Sequence, residues 1–428
     1  MRRRVLLVSY HYPPDPSVGS HRWAAMAPRL RELGLDVRVV TTGLFGTLPD
    51  DRPNVVRATD LRASRLLRAS LRRPPVEDQA QSAAVPAVLR SGLVPDAAVA
   101  HWTPFALAAT RRWLRAERFD CIVTSNPPDS THLVGLLLGS GRPAWIADFE
   151  DPWRFEPLRG PWPWRLQDRS DAALEARVAR SAEVLVSVSA PIAEDFAARF
   201  AVDSRCITMA WDPQFDAAVE AAKPPALPAG VFNLVHTGAL TVPERRDPSP
   251  LFAALERLIA EAPELAARLR LVVAGVLTDE ERRALGQPGL ERIVENLGVL
   301  GRADAVAVQR RADALLLIAT GTHRAQITGK LFEYLAAGRP IMAISDENEA
   351  ARIIRDTGTG VVIAPADLDG VVAVLREALT AGLGRHYHPH DLERYRFPAP
   401  ALAFAEAVEA AIERRFARKG PRRQPPAD

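Results

Sequence analysis

An apolar run from Val5 to Ser9 gives way to the loop "YHYPPDPSVGS", then to "HRWAAMAPRLRELG", then to "LDVRVVTT". The middle segment repeats its apolar residues at helical spacing and stops at Gly34, while its flanks are short, buried-type strands. Strand, loop, helix and strand in that order form a βαβ unit. The same order returns in "DCIVTSNPPDSTHLVGLLLGSGRPAWIADFEDPW", with strands predicted at Cys121 to Thr124 and Ala144 to Ala147 around a helix over Ser130 to Leu138. It restarts a third time at "VFNLVHTG" and continues through "LRLVVAG", "ADALLLI", "PIMAIS" and "GVVIA", with helical segments between them. Short strands that are apolar on both faces need helical crossovers on both sides. The chain is therefore an α/β protein built from doubly wound parallel sheets, with ligands expected at the carboxyl ends of the strands.

A chain of 428 residues exceeds one ordinary core and suits two domains of about 200 residues. The domain boundaries read as 1–213 for the first, a proline-rich linker at 214–229, and 230–398 for the second. A final helix over 399–416 and a disordered tail at 417–428 follow. Residues 46–118 read as a polar, arginine-rich insert of helices and loops. The composition, 47% hydrophobic and 25% charged with a net charge of +3, is that of a globular enzyme and points away from nucleic acid. Two distant cysteines, Cys121 and Cys206, make neither a disulfide framework nor a zinc site, so a reducing cytoplasm is the expected compartment. The apolar run after "MRRR" is too short for a signal peptide, and no window reaches bilayer length.

"GKLFEYLAAGRPI", residues 329–341, places Lys330 and Glu333 three positions apart on a short helix. Thr328 and Gly329 precede the lysine, so exposed amides, a glycine that permits close approach, and a cation converge on an anion site suited to a diphosphate. Glu333, one turn on, can accept hydrogen bonds from a ribose diol. On spacing alone a solvated i, i+3 salt bridge is the simpler account of the pair. The triad "HYHPH", His386 to His390, reads as an exposed turn around Pro389 rather than a metal site, and no metal is expected.

"KLFEYLAAGRPIMAI", "HTGALTVPERRDPSPLFAAL", "VLLVSYHYPPDPSVGSHRWAAMAPRLRELGLDVRVVTT" and "RPAWIADFEDPW" together resemble family 4 glycosyltransferases, retaining enzymes of the GT-B fold. The resemblance spans the chain apart from the 46–118 segment and the tail. It implies two Rossmann-like domains facing across a cleft, the second binding a nucleotide-sugar donor and the first an acceptor. Carried over by position, it places Gly19 in the glycine-rich loop near the donor diphosphate, where Val-Gly stands for the usual glycine pair; a plain turn glycine is the alternative. Lys330, with Arg245 or Arg246 after the turn opened by Gly238, would clamp the diphosphate in place of a metal, so no cofactor is implied. Gly329 and Glu333 complete the donor set.

The family's first glutamate is absent, because Ala325 stands there between Arg324 and Gln326. Asp151 is the candidate catalytic base, its alternative a turn cap before Pro152. His21, Arg22, Asp148 and Glu150 are acceptor-side candidates. The acceptor itself is unidentified; a basic amphipathic stretch at 61–73 would suit peripheral contact with anionic lipid and a lipid-linked acceptor. Two other readings share the fold: a non-hydrolysing nucleotide-sugar epimerase, and a catalytically idle partner in a polysaccharide assembly complex.

Overall fold

The computed structural model describes residues 2–15, 17–49, 53–63, 93–242, 246–321 and 323–419. The chain divides into two compact units, residues 1–208 with 398–428, and residues 209–397.

The first unit is built on a seven-stranded sheet. Its strands are β1 (Arg4–Ser9), β2 (Asp36–Thr42), β3 (Val55–Ala58), β4 (Cys121–Asn126), β5 (Ala144–Phe149), β6 (Val184–Ser187) and β7 (Ser204–Cys206). They lie in the order β3-β2-β1-β4-β5-β6-β7, every pair parallel. All six residues of β4 and of β5 are buried, which is why these strands read as continuous apolar or small-residue runs rather than alternating ones. The helix Ala399–Lys419 belongs to this unit. Phe404 packs edge-on against Trp23 of the helix Val18–Glu32, Arg3 forms a paired contact with Glu409, and Arg415 reaches Glu183.

The second unit carries six parallel strands: β8 (Phe232–Thr237), β9 (Leu269–Ala274), β10 (Val294–Asn296), β11 (Ala314–Ala319), β12 (Ile341–Ser345) and β13 (Gly360–Ile363). Their order is β10-β9-β8-β11-β12-β13, and β11, "ALLLIA", is buried throughout. Its two faces feed two apolar clusters, one around Leu316 and Leu255, the other around Leu317 and Phe332.

Three stretches differ from the sequence-based expectation. Within 46–118, Val55–Ala58 is an edge strand of the first sheet, and Trp102 and Ala106, at the start of the helix Thr103–Ala116, are fully buried. Much of that stretch therefore belongs to the domain rather than interrupting it, and a four-residue strand was masked by its arginine-rich surroundings. Residues 214–229 open with a helical segment, Pro213–Phe215 running into Asp216–Glu220, whose Val219 is buried against Val306 and Ala307. The final helix continues to Lys419, and the remainder of the tail lies outside the described residues.

Candidate donor and acceptor sites

In the second unit the carboxyl end of β8 and the turn that follows it meet the amino end of the helix Gly329–Ala337. This helix follows from its sequence: Leu331, Phe332, Tyr334 and Leu335 are buried, and Gly338 at φ 70° ends it in the left-handed turn that glycine adopts without penalty. Tyr334 fixes the helix against the sheet, its hydroxyl accepting from Thr237 N and donating to Leu316 O, each at 3.3 Å.

Lys330 and Glu333 leave this helix toward different partners, so the simple surface salt bridge does not describe them. Lys330 Nζ lies 2.9 Å from His236 Nε2, at the end of β8, and against the Gly238 turn, where a Cβ would stand 3.3 Å from Nζ. Gly238 sits at φ 84°, a conformation that excludes most side chains. Burial holds the Lys330 ammonium well below its ordinary range, Arg246 adds to the effect and Glu333 opposes it. The Arg246 guanidinium donates to Ala239 O at 3.1 Å and to Thr328 Oγ1 at 3.4 Å, which brings it to the residue that opens the helix. A lysine, an arginine and a helix amino end thus meet at a backbone turn that carries no side chain. Arg245 lies outside the described residues.

The Glu333 carboxylate accepts from Arg302 Nε at 3.0 Å and from Gln309 Nε2 at 3.4 Å, and Gln309 also donates to Thr237 Oγ1 at 2.9 Å. Arg302 rests over Phe215, 4.6 Å from the ring centroid. A ribose diol at Glu333 would share the carboxylate with an arginine that spacing within the helix gave no reason to name. Sequence reading also passed over His236 and Gln309. The first stands inside the quoted "HTG" and had a signal. Gln309 had none, since it is a fully buried glutamine in a polar-looking helix. Ala325 is buried, and the backbone on either side of it, Arg324 O and Gln326 O, accepts from Glu349 N and Ala350 N at the next helix.

In the first unit, β5 delivers Asp148, Glu150 and Asp151. Arg22 and Asp148, expected to face the acceptor, instead form a buried ion pair. Arg22 Nη1 lies 2.5 Å from Asp148 Oδ2, the same oxygen accepts from Ser125 Oγ at 2.7 Å, and neither side chain exposes more than 1% of its surface. The two charges pair inside the protein. Replacing Arg22 with leucine should strand a buried carboxylate and cost this unit about 3–5 kcal/mol, read as an earlier unfolding transition. An acceptor-binding arginine would leave the melting curve in place.

Gly19 lies in the first turn of the helix Val18–Glu32 and not in a β-turn; a Cβ there would meet His11 and the Glu150 Oε2 only at ordinary contact distance, 3.5–3.6 Å. Glu150 and Asp151 are positioned by Asn126, whose side-chain oxygen accepts from Glu150 N at 2.7 Å and Asp151 N at 3.2 Å and whose amide donates to Asp151 O at 2.9 Å. Burial pushes the Glu150 carboxyl well above the usual carboxylate range, opposed by Arg22 and reinforced by Asp148 and Asp151. Asp151 is half-buried and His21 is exposed.

In the 61–73 stretch, Leu61–Ala63 is a single 3-10 turn with Arg62 beside Asp60 and over the Tyr10 ring; residues 64–73 lie outside the described residues. Among the described residues no three His, Cys, Asp or Glu side chains gather as metal ligands, and no helix is long and apolar enough to cross a membrane.

Two family models match the chain over most of its length: residues 19–210 match a glycosyl transferase 4-like domain, and residues 232–381 match glycosyl transferases group 1. The chain belongs to the 4-like glycosyltransferases of the GT-B class, and it is a glycosyltransferase. No curated protein sequence matches it. Among solved structures, it is similar in fold to the N-terminal domain of Candida albicans trehalose-6-phosphate phosphatase, at 13% identity and a TM-score of 0.61. It is likewise similar to a putative UDP-N-acetylglucosamine 2-epimerase from Listeria monocytogenes, at 12% and 0.56, and to S. aureus MnaA in a co-structure with UDP, at 13% and 0.52. Each alignment covers 96% of this chain and 97% of the other.

Proposed function

We propose that the chain transfers a sugar from a nucleoside-diphosphate sugar to an acceptor hydroxyl with retention at the anomeric carbon. The observation that carries this reading is the meeting of Lys330, Arg246 and the amino end of the helix Gly329–Ala337 at the Gly238 turn. As the bond from the anomeric carbon to the diphosphate oxygen breaks, negative charge grows on the leaving diphosphate; two fixed cations and backbone amides stabilise it. These cations do the neutralising work that other enzymes give to a metal, so no cofactor is assigned and activity should survive chelation of divalent ions. Asp151 is the base proposed to take the acceptor proton, with Glu150, His21 and Gly19 as neighbours on the acceptor side. The acceptor proposed is a lipid-linked saccharide intermediate of polysaccharide or glycoconjugate synthesis. It would be met at the inner face of the cell membrane by a cytoplasmic protein with peripheral contact through 61–73.

A thermal-shift screen of UDP-, GDP-, ADP- and dTDP-sugars on the wild type and on Lys330→Met tests the donor assignment. Stabilisation of the wild type by one nucleotide class and its loss in the variant is the expected result; equal stabilisation of both sinks the assignment. Glu333→Ala separates the ribose contact from the diphosphate contact. Losing a charged acceptor should weaken UDP by about tenfold to a hundredfold, roughly 1.5–3 kcal/mol, while pyrophosphate binds as before. Incubation with donor alone distinguishes transfer from epimerisation, since an epimerase would convert the free nucleotide sugar.

A further inference from the structure

His236 belongs to β8, 94 positions from Lys330 in sequence, and both of its ring nitrogens are committed. Nδ1 lies 3.0 Å from Leu316 O; Nε2 lies 2.9 Å from Lys330 Nζ and 3.1 Å from Ala239 O. The neighbours decide which nitrogen carries the proton. A hydrogen on Nε2 would point at the N–H groups of Lys330, whereas a hydrogen on Nδ1 meets the carbonyl oxygen of Leu316. The consistent assignment is Nδ1–H donating to Leu316 O, with the Nε2 lone pair accepting from Nζ. The imidazole is fully buried and cannot swing away, and burial together with Lys330 keeps it neutral, well below its ordinary range.

We propose that His236 is the positioning residue for Lys330, holding Nζ over the side-chain-free Gly238 turn so that the lysine meets the donor diphosphate in place. The inference rests on the donor-site reading above and adds to it a residue that touches no ligand. It has a consequence for protons. Among the described residues, the groups facing Nζ are the neutral His236 from β8, the cationic Arg246 from the following loop, and Glu333 from its own helix, whose carboxylate is shared with Arg302 of the helix Arg302–Arg311. Of these, Glu333 alone offers the ammonium counter-charge, and it divides that charge with Arg302. An arriving diphosphate supplies more, and Nζ takes up a proton from solvent wherever the pH lies between its lowered value and the ordinary 10.5. Affinity should then fall as pH rises through that window.

The test uses UDP and calorimetric titration of the full chain in buffers of different ionisation enthalpy. Two variants separate positioning from mere architecture. His236→Asn can keep the bond to Leu316 O but is too short to accept from Nζ, whereas His236→Gln can place its amide oxygen near Nε2. The expected result is UDP weakened about tenfold in His236→Asn and held within about threefold of wild type in His236→Gln. Wild-type binding, followed as the pH is raised step by step toward the ordinary 10.5, should show proton uptake that disappears in Lys330→Met. In the Lys330→Met background neither His236 change should weaken UDP further. That cycle decides the matter even where one single variant folds poorly. Wild-type affinity in His236→Asn, or an equal loss from both His236 variants that persists without Lys330, overturns the inference while leaving the donor site standing. Failure of wild type to bind UDP, GDP, ADP or dTDP overturns the donor-site reading and the inference with it.

Discussion

Lys330→Met is expected to lower turnover by about a hundredfold to a thousandfold, the range seen when one preorganised donor to a developing negative charge is removed. Methionine keeps the aliphatic stem and its packing and removes only the ammonium. Stability should move the other way. The folded-state value of the Lys330 ammonium is depressed, so the wild type bears a penalty that is full below the depressed value and is relieved as pH climbs to the ordinary 10.5. Without ligand, the variant should therefore melt at or above the wild-type temperature near neutral pH. That gap should close as the pH is raised. A variant that loses turnover and also melts early would show that Lys330 is needed for folding, and the anion-site assignment would lose its main support.

Gly275→Ala is expected to disable the donor site from beneath. Gly275 follows β9 and sits under the Gly238 turn, drawn close by the 2.6 Å bond from Gly238 N to Ala274 O. A Cβ at Gly275 would lie 2.4 Å from Gly238 O and 2.7 Å from Gly238 C. Both are backbone atoms of the turn, so no side chain can swing aside and the turn itself must shift. Overpacking of this kind costs about 1–3 kcal/mol, or about 2–12 °C in the melting of a unit this size. Because Lys330 Nζ rests on that turn, UDP binding should fall with it. Gly384→Ala, where a Cβ meets nothing within 4 Å, is the matched control. Unchanged UDP affinity in Gly275→Ala would mean that the Gly238 turn is not part of the binding surface.

Much of the candidate donor site was legible in the sequence because its key element is local. A helix amino end with Thr328, Gly329 and Lys330 is fixed by neighbours in the chain, and "HTG" at the end of an apolar strand marks the opposing turn. What escaped were partners chosen across the fold: His236 for Lys330, Arg302 and Gln309 for Glu333, Asn126 for the backbone of Glu150 and Asp151. On the acceptor side the sequence did not reveal the pairing of Arg22 with Asp148, which are 126 positions apart. Each looked like a free charge near a strand end. Only the parallel pairing of β1 with β4 and β4 with β5 brings helix and strand close enough for the two to bury each other.

The sequence by itself determined the architecture, because the periods of apolar residues, short buried runs alternating with helical repeats, are local properties that no tertiary contact has to supply. It also pointed to the candidate anion site, since helix amides and glycine turns are written in consecutive residues. The tertiary structure decided which charges remain available. Whether Arg22 binds an acceptor or an internal carboxylate, and whether Lys330 stands as a solvated cation or beside a neutral imidazole, depends on distances of a few ångströms between distant segments, and on the burial that makes an unpaired charge costly.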